Sequence, residues 1–355
     1  NGNSVYDDFP VEEGVDYTVS GAEGVTLTYS YKTSGGSNTT SGLPVEIGSY
    51  TISAQGFDAE NKIWYETTFE LTISEAEASV AYGGKVTGFA TLSEAFAYVN
   101  TLTTSADNRA LITFFVDLEL DDALTIQGGR YITLDLGGNT LAKTGGGSVL
   151  AVEGDLLLTD SSITGGVISG DVTVNGSFAM EGGTVMGSVT VNGSFAMEGG
   201  YFGGDIENNG GTISIEGGYF SEEPAEYIAD NHGVYDISAF GTEFDADYLE
   251  DFPYAVYQIG TVTMKADSDI LCDGYSVQEG VDFTVSGAIG AVFGYSYKTD
   301  GGEYTNGLPR EVGTYTIKAI GLGLVDGQKT RYETTFDLTI SEAEATVAYG
   351  GTVIG

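Results

Sequence analysis

The sequence predicts an all-β protein in which two small antiparallel sandwiches flank a stack of short parallel coils. Three observations carry that expectation: one segment occurs twice, a shorter motif repeats every 17 to 18 residues between the two occurrences, and 54 glycines stand against 5 prolines. Such a glycine excess suits many tight turns between short strands. The 355 residues leave room for two or three domains, and 41% hydrophobic content with 23 Tyr and 17 Phe argues for a folded core despite a formal charge of −40. That charge, from 52 Asp plus Glu against 12 Lys plus Arg, opposes nucleic acid and anionic membrane surfaces. A single cysteine, Cys272, and a single histidine, His232, leave no disulfide framework, thiolate zinc site or histidine-pair metal site. No apolar run reaches the length of a membrane span, so no membrane insertion is expected in this segment.

The long repeat is nearly residue for residue. GVDYTVSGAEGVTLTYSYK (14–32) returns as GVDFTVSGAIGAVFGYSYK (280–298), GLPVEIGSYTISAQG (42–56) as GLPREVGTYTIKAIG (307–321), and YETTFELTISEAEASVAYGG (65–84) as YETTFDLTISEAEATVAYGG (332–351). The offset is 298 − 32 = 266 early and 349 − 82 = 267 late. The second occurrence stops at VAYGGTVIG, where the first, VAYGGKVTG, runs on into the middle region, which predicts a window onto a longer tandem array. Apolar and polar residues alternate within each occurrence; in 68–74, Phe69, Leu71 and Ile73 share one face and Glu70 and Thr72 the other. The GLPxExGxYTI and YETTFxLTIS layout resembles the bacterial Ig-like repeats of the MBG type found in large surface proteins. The resemblance implies an Ig-like β-sandwich at 1–79 and a second at 263–346.

The middle region, 80–262, opens with one helical signal at 91–102. Leu92, Ala95, Phe96, Val99 and Leu102 share a face there, and Thr91 with Glu94 forms a capping box. Short strands at 111–116, 123–126, 132–136 and 156–158 follow without further helices. NGSFAMEGGTV (175–185), NGSFAMEGGYF (192–202) and GGTISIEGGYF (210–220) then stack at offsets of 192 − 175 = 17 and 210 − 192 = 18. Strands repeating at coil length read as a parallel β-solenoid. Phe178, Phe195 and Ile213 would form one inward ladder and Met180, Met197 and Ile215 another, with Gly183, Gly200 and Gly218 at a corner that favours φ > 0. The helix would cap one end and the irregular segment 224–260 the other. The helix, YITLDLGGNTL (131–141) and the GGYFS exit (217–221) together resemble right-handed parallel β-helix domains of the pectate-lyase-like superfamily in bacterial surface proteins. Residues 347–355 would then begin a further β-helix repeat.

That superfamily includes polysaccharide lyases and hydrolases, whose chemistry needs carboxylates near a basic group. No Lys or Arg occurs from Thr144 to Met264, and a catalytic set is not expected. The expected function is a non-catalytic extracellular structural or adhesive repeat protein, a rigid stalk or filament on a microbial surface whose partners are neighbouring copies of itself and host or environmental glycans. One alternative is a carbohydrate-binding surface module on the β-helix face, with Tyr201 and Tyr219 as glycan contacts; another is a lyase or hydrolase.

Glu181, Glu198 and Glu216 hold one position of three consecutive coils, where they form a solvated acidic stripe or attract a divalent cation, with Ca2+ as the candidate. Further acidic clusters, at Asp117, Glu119, Asp121 and Asp122, at Glu243, Asp245, Asp247, Glu250 and Asp251, and at Asp267 and Asp269, lack the spacing of a calcium loop. Lys32 and Lys298 occupy equivalent strand positions and are candidates for an isopeptide cross-link, against the plainer reading of solvated lysines. His232 reads as a surface-loop residue. Cys272 stands where the first copy has Tyr6 (272 − 6 = 266), so the position demands no thiol chemistry. Asn175 and Asn192 each open an N-x-S sequon.

Overall fold

The computed structural model describes residues 2–14, 16–22, 24–163, 165–224, 226–238, 244–266, 270–288, 290–343, 347–349 and 352–354. Among them one helix, Leu92–Val99, interrupts an otherwise all-β chain, and no helix is long and apolar enough to cross a membrane. The chain groups into two compact units, residues 1–196 with 203–213, and residues 197–202 with 214–355.

In the first unit the strands Gly2–Val5, Ile63–Ser74, Gly48–Asp58, Thr28–Thr33 and Thr40–Ser41 lie side by side in that order. All neighbours are antiparallel except the first pair, where Ser4 lies opposite Ile73 in parallel. Tyr50, Ile52, Leu71 and Ile73 leave one face of the sheet and bury against Val11 and Tyr17. A strand around Tyr17 and Val19 does not form; Tyr17 makes only an isolated bridge to Glu13. In the second copy Phe283–Ser286 pairs antiparallel with Thr263–Ala266.

Next comes a hairpin, Ala78–Tyr82 with Lys85–Phe89, then the helix. Thr91 caps the helix by accepting from the Glu94 amide at 3.3 Å, and Leu92, Ala95, Phe96 and Val99 are buried as the periodicity requires. The helix ends three residues before Leu102, because Thr101 and Leu102 turn back onto the carbonyls of Tyr98 and Val99. The Arg130 guanidinium then takes up the carbonyls of Asn100 and Leu102. It is the hairpin strand 78–82, rather than the helix, that pairs with the edge strand Ala110–Phe114.

From there the chain visits three parallel sheets in turn. The first holds Ala110–Phe114, Tyr131–Asp135, Asp155–Thr159 and Ser177–Met180. The second holds Leu118–Leu120, Thr140–Lys143, Val167–Ser169 and Thr184–Val185. The third holds Leu124–Ile126, Ser148–Val152, Asp171–Val174, Val189–Val191 and Ile206–Asn208. Along the third sheet Leu124, Leu150, Val172, Val189 and Ile206 are register partners, so the coil length falls from 150 − 124 = 26 to 172 − 150 = 22 and then holds at 189 − 172 = 206 − 189 = 17. Phe178, Met180, Phe195 and Met197 are buried as expected, Phe178 and Phe195 with ring centroids 5.3 Å apart, whereas Ile213 is half-buried. The two sequon asparagines stack as well, the Asn192 amide donating to Asn175 Oδ1 at 2.8 Å.

In the second unit Tyr201–Phe202 pairs in parallel with Tyr219–Phe220, which pairs antiparallel with Tyr254–Gly260. His232 begins a strand, His232–Asp236, on the other side of Tyr254–Gly260, rather than lying in a loop; its Nδ1 is 3.0 Å from the Asp230 carbonyl. Tyr254–Gly260 also runs in parallel along Gln328–Ser341, which forms a long hairpin with Gly313–Val325. The second flanking core repeats the first position by position: Val277, Phe283, Tyr315, Ile317, Leu338 and Ile340 stand for Val11, Tyr17, Tyr50, Ile52, Leu71 and Ile73. Ile270 lies opposite Ile340 in parallel, as Ser4 does opposite Ile73.

Candidate functional site

The densest polar chemistry among the described residues gathers where strand Gln328–Ser341 meets Tyr254–Gly260 in the second unit. Asp326 and Gly327, at φ of 51° and 85°, close the hairpin as a two-residue turn between Val325 and Gln328. In the first copy the corresponding hairpin ends two pairs earlier, at Asp58 and Ile63. The extension carries Lys329 to Asp245, a carboxylate only 3% exposed. Lys329 Nζ lies 2.5 Å from Asp245 Oδ1 and 2.6 Å from Asp247 Oδ2, and also donates to the Tyr219 hydroxyl. The hydroxyls of Tyr219 and Tyr257 each donate to Asp245 Oδ2 at 2.6 Å, and the Asp247 amide donates to Oδ1 at 3.1 Å. A buried carboxylate is tolerated when its lone pairs are filled in this way.

Aromatic faces surround the pair. The Lys329 ammonium lies 5.1 Å from the Tyr219 ring centre, and Tyr201 stacks on Tyr219 at 5.1 Å while its hydroxyl donates to the Asp247 carbonyl at 2.6 Å. Arg331, 9% exposed, lays its guanidinium 3.9 Å over Tyr235, which stacks on Tyr257 at 6.0 Å. Arg331 also pairs with Glu333 at 2.7 Å, and Glu333 with Lys318 at 2.5 Å.

Burial, with Asp245 beside them, pushes the Tyr219 and Tyr257 hydroxyls far above the ordinary phenol range, and burial with the charges of Asp247 and Asp245 pushes Tyr201 up to about 12. Burial alone would raise the Asp245 carboxyl, but hydrogen bonds from Lys329, Tyr219 and Tyr257 outweigh it and hold the group below its usual range; Glu333 is lowered in the same way by Lys318 and Arg331. A carboxyl whose folded pKa lies below its unfolded value stabilises the fold above that unfolded value, about 4, and ceases to do so as pH falls through the folded value. The urea midpoint of the second unit is therefore expected to drop from about pH 4 downward. The drop should be shallower in Lys329→Met; equal slopes in the two proteins would contradict the assignment.

Chemically the arrangement ties strand 219–220, the turn at 245–247 and strand 328–341 together; its polar atoms are occupied with one another. The sequence-predicted candidates lie elsewhere or act differently. Tyr219 is 6% exposed and Tyr201 is half-buried against it, and both pack in this cluster. Glu181 and Glu198 are exposed, and Glu216 is half-buried and accepts from Ser214 at 3.1 Å. Among the described residues no three His, Cys, Asp or Glu side chains converge as a metal-binding group. Glu243, Asp267 and Asp269 lie outside the described residues. Lys298 places its ammonium 4.9 Å over the Tyr304 ring, and Lys32 is half-buried opposite Thr51. The Cys272 thiol lies 3.6 Å from the Arg310 carbonyl, packed against the second core.

The sequence reading missed Lys329 and Arg331 and saw Asp245 only as one member of an acidic run. The signal was present in the lengths: GFDAENKIWY (56–65) aligns with GLGLVDGQKTRY (321–332), two residues longer, inside an otherwise close repeat. No protein-family model matches the chain, and neither a curated protein nor a solved structure matches it.

Proposed function

We propose that this chain belongs to a non-catalytic, extracellular structural repeat protein in which MBG-type Ig-like sandwiches, at 1–79 and 263–346, alternate with right-handed parallel β-helices, at 80–262 and from 347 onward, to build a stiff stalk or filament on a microbial surface. The observation that carries the reading is the Lys329–Asp245 cluster together with the parallel pairing of Gln258 with Thr330 and Gly260 with Tyr332. A joint locked by a shared sheet and a buried ion pair holds one angle instead of swinging on a linker. The three parallel sheets with coils settling at 17 residues support the β-helix assignment, since each coil covers only its neighbours. The hairpin Val347–Tyr349 with Thr352–Ile354 repeats the register of the one that opens the first coil stack, Val347 opposite Ile354 as Val80 is opposite Thr87. Neighbouring copies are the proposed partners, and the charge of −40 keeps rods apart in solution unless divalent cations bridge them.

Negative-stain electron microscopy of the native assembly, with and without a calcium chelator, tests this. Straight particles with an axial repeat of one sandwich plus one coil stack are expected; flexible beads or compact globules would overturn the rod. Fraying in chelator would assign the acidic surface to cation bridging, and unchanged rods would assign it to solvation.

A further inference from the structure

The two copies of the hairpin meet opposite environments. In the second copy, Thr330 is 3% exposed, Arg331 9% and Tyr332 3%, because strand Tyr254–Gly260 runs alongside them and Leu322 packs against the aromatic cluster behind it. In the first copy the equivalent tip stands open: Phe57 is 54% exposed, Ile63 45% and Trp64 59%. The equivalence is fixed by register as well as by sequence, since Gly56 pairs with Tyr65 and Phe57 with Trp64, just as Gly321 pairs with Tyr332 and Leu322 with Arg331. Three large apolar side chains on one strand pair are not what a solvated hairpin tip carries. Phe57 and Trp64 also hold each other, with centroids 6.3 Å apart.

We propose that the Phe57–Trp64 tip is a docking surface for the exit strand of a coil stack of the kind this chain forms at 254–260, supplied by another copy of the repeat. Residues 322–332 already hold such a strand, so the occupant is identified by an interface present in the same molecule. The chemistry transfers with one change of character. Arg331 lies flat on Tyr235; Trp64, at the same place, offers a flat indole to the same aromatic face, and Ile63 replaces the Thr330 hydroxyl that donates to Gln258 at 2.9 Å. Lys62 holds the sequence place of Lys329 (329 − 62 = 267) but stands in the turn of the shorter first hairpin, at φ 55°, instead of on the paired strand, so the paired residues of this tip are apolar where those of the other are polar. Strand pairing supplies the remaining affinity through main-chain hydrogen bonds. The inference rests on the proposed alternation of modules, and its test reads the docking alone.

Trp64 is the single tryptophan of the chain and reports on its own burial. In a tandem chain in which residues 1–266 precede the full sequence, with Trp64→Phe in the leading copy, the remaining tryptophan is expected to shift to the blue. Its acrylamide quenching should fall several-fold relative to the parent chain. A tryptophan as accessible as in the parent would overturn the docking, and straight rods seen in the same sample would show that the structural reading survives it. Should the tandem fail to fold, replacing residues 321–332 by the sequence of 56–65 in a Trp64→Phe parent places the same tip on strand 254–260, and an accessible tryptophan there is equally fatal. A parent chain whose own Trp64 becomes buried as it dimerises would also overturn the proposal, since the tip would then pair with itself.

Discussion

Lys329→Met is expected to destabilise the second unit by about 3–5 kcal/mol, because it strands the buried Asp245 carboxylate beside two tyrosine hydroxyls. Asp245→Ala should cost less, about 2–3 kcal/mol, since Lys329 is 30% exposed and keeps Asp247 while only the two hydroxyls lose their acceptor. The double substitution Lys329→Met with Asp245→Leu should cost less than the sum of the single ones, as replacing both members of a buried pair by apolar groups removes the uncompensated charge. Hydrogen exchange resolves the effect by unit: amides of 254–260 should lose protection while those of 148–152 keep theirs. Equal loss in both segments, or none in either, would show that the cluster does not hold this joint.

Gly193→Ala is the second large effect. A Cβ at Gly193 would lie 2.0 Å from the Gly176 carbonyl oxygen and 2.5 Å from that of Asn175, and a Cβ at Gly176 would lie 2.0 Å from the Gly154 oxygen. These are backbone atoms fixed by the coil-to-coil bonds from Ser194 N to Gly176 O and from Ser177 N to Gly154 O, each 2.8 Å. No rotamer can relieve the contact, so the coils must part and a ladder bond must break. A loss of about 3–5 kcal/mol is expected in urea unfolding of the first unit. Gly128→Ala provides the control: its nearest neighbour is the Glu153 oxygen at 3.7 Å, an ordinary contact, and the change should stay within about 0.5 kcal/mol. If both substitutions cost the same, close approach is not what selects glycine at this corner.

The flanking cores were legible because the same apolar positions, Val11 to Ile73 and Val277 to Ile340, recur at offsets within two residues of one another and alternate at strand period. The later coils were legible for a similar reason: NGSFAMEGG occurs twice at 17 residues, and 17 is the length the coils settle to. The earlier coils hid, because they carry extra residues at corners that polar side chains must satisfy. Asp160 accepts from the amides of Gly138, at 2.9 Å, Ser162 and Gly166, while the Asn139 amide donates to the Phe114 carbonyl at 3.1 Å. Two of those links, Gly138 to Asp160 and Asn139 to Phe114, span 22 and 25 residues, so no local pattern announces them. The Lys329 cluster was invisible for the same physical reason, since its members stand 84 and 110 residues apart and look, one by one, like surface residues of an acidic chain.

The parallel pairing of an early strand in each flanking copy with the end of its last long strand has a mechanical consequence. Gly2–Val5 runs alongside Leu71 to Ser74, and Ile270–Leu271 alongside Ile340 and Ser341, in the same direction. A tension drawing the two ends of a module apart pulls one of these strands toward its start and the other toward its finish. The bonds between them are then loaded sideways and together, instead of opening one at a time from an end. Rupture under such a load is governed by the unfolding barrier, and the resistance of such a pair is expected to grow with the number of paired residues.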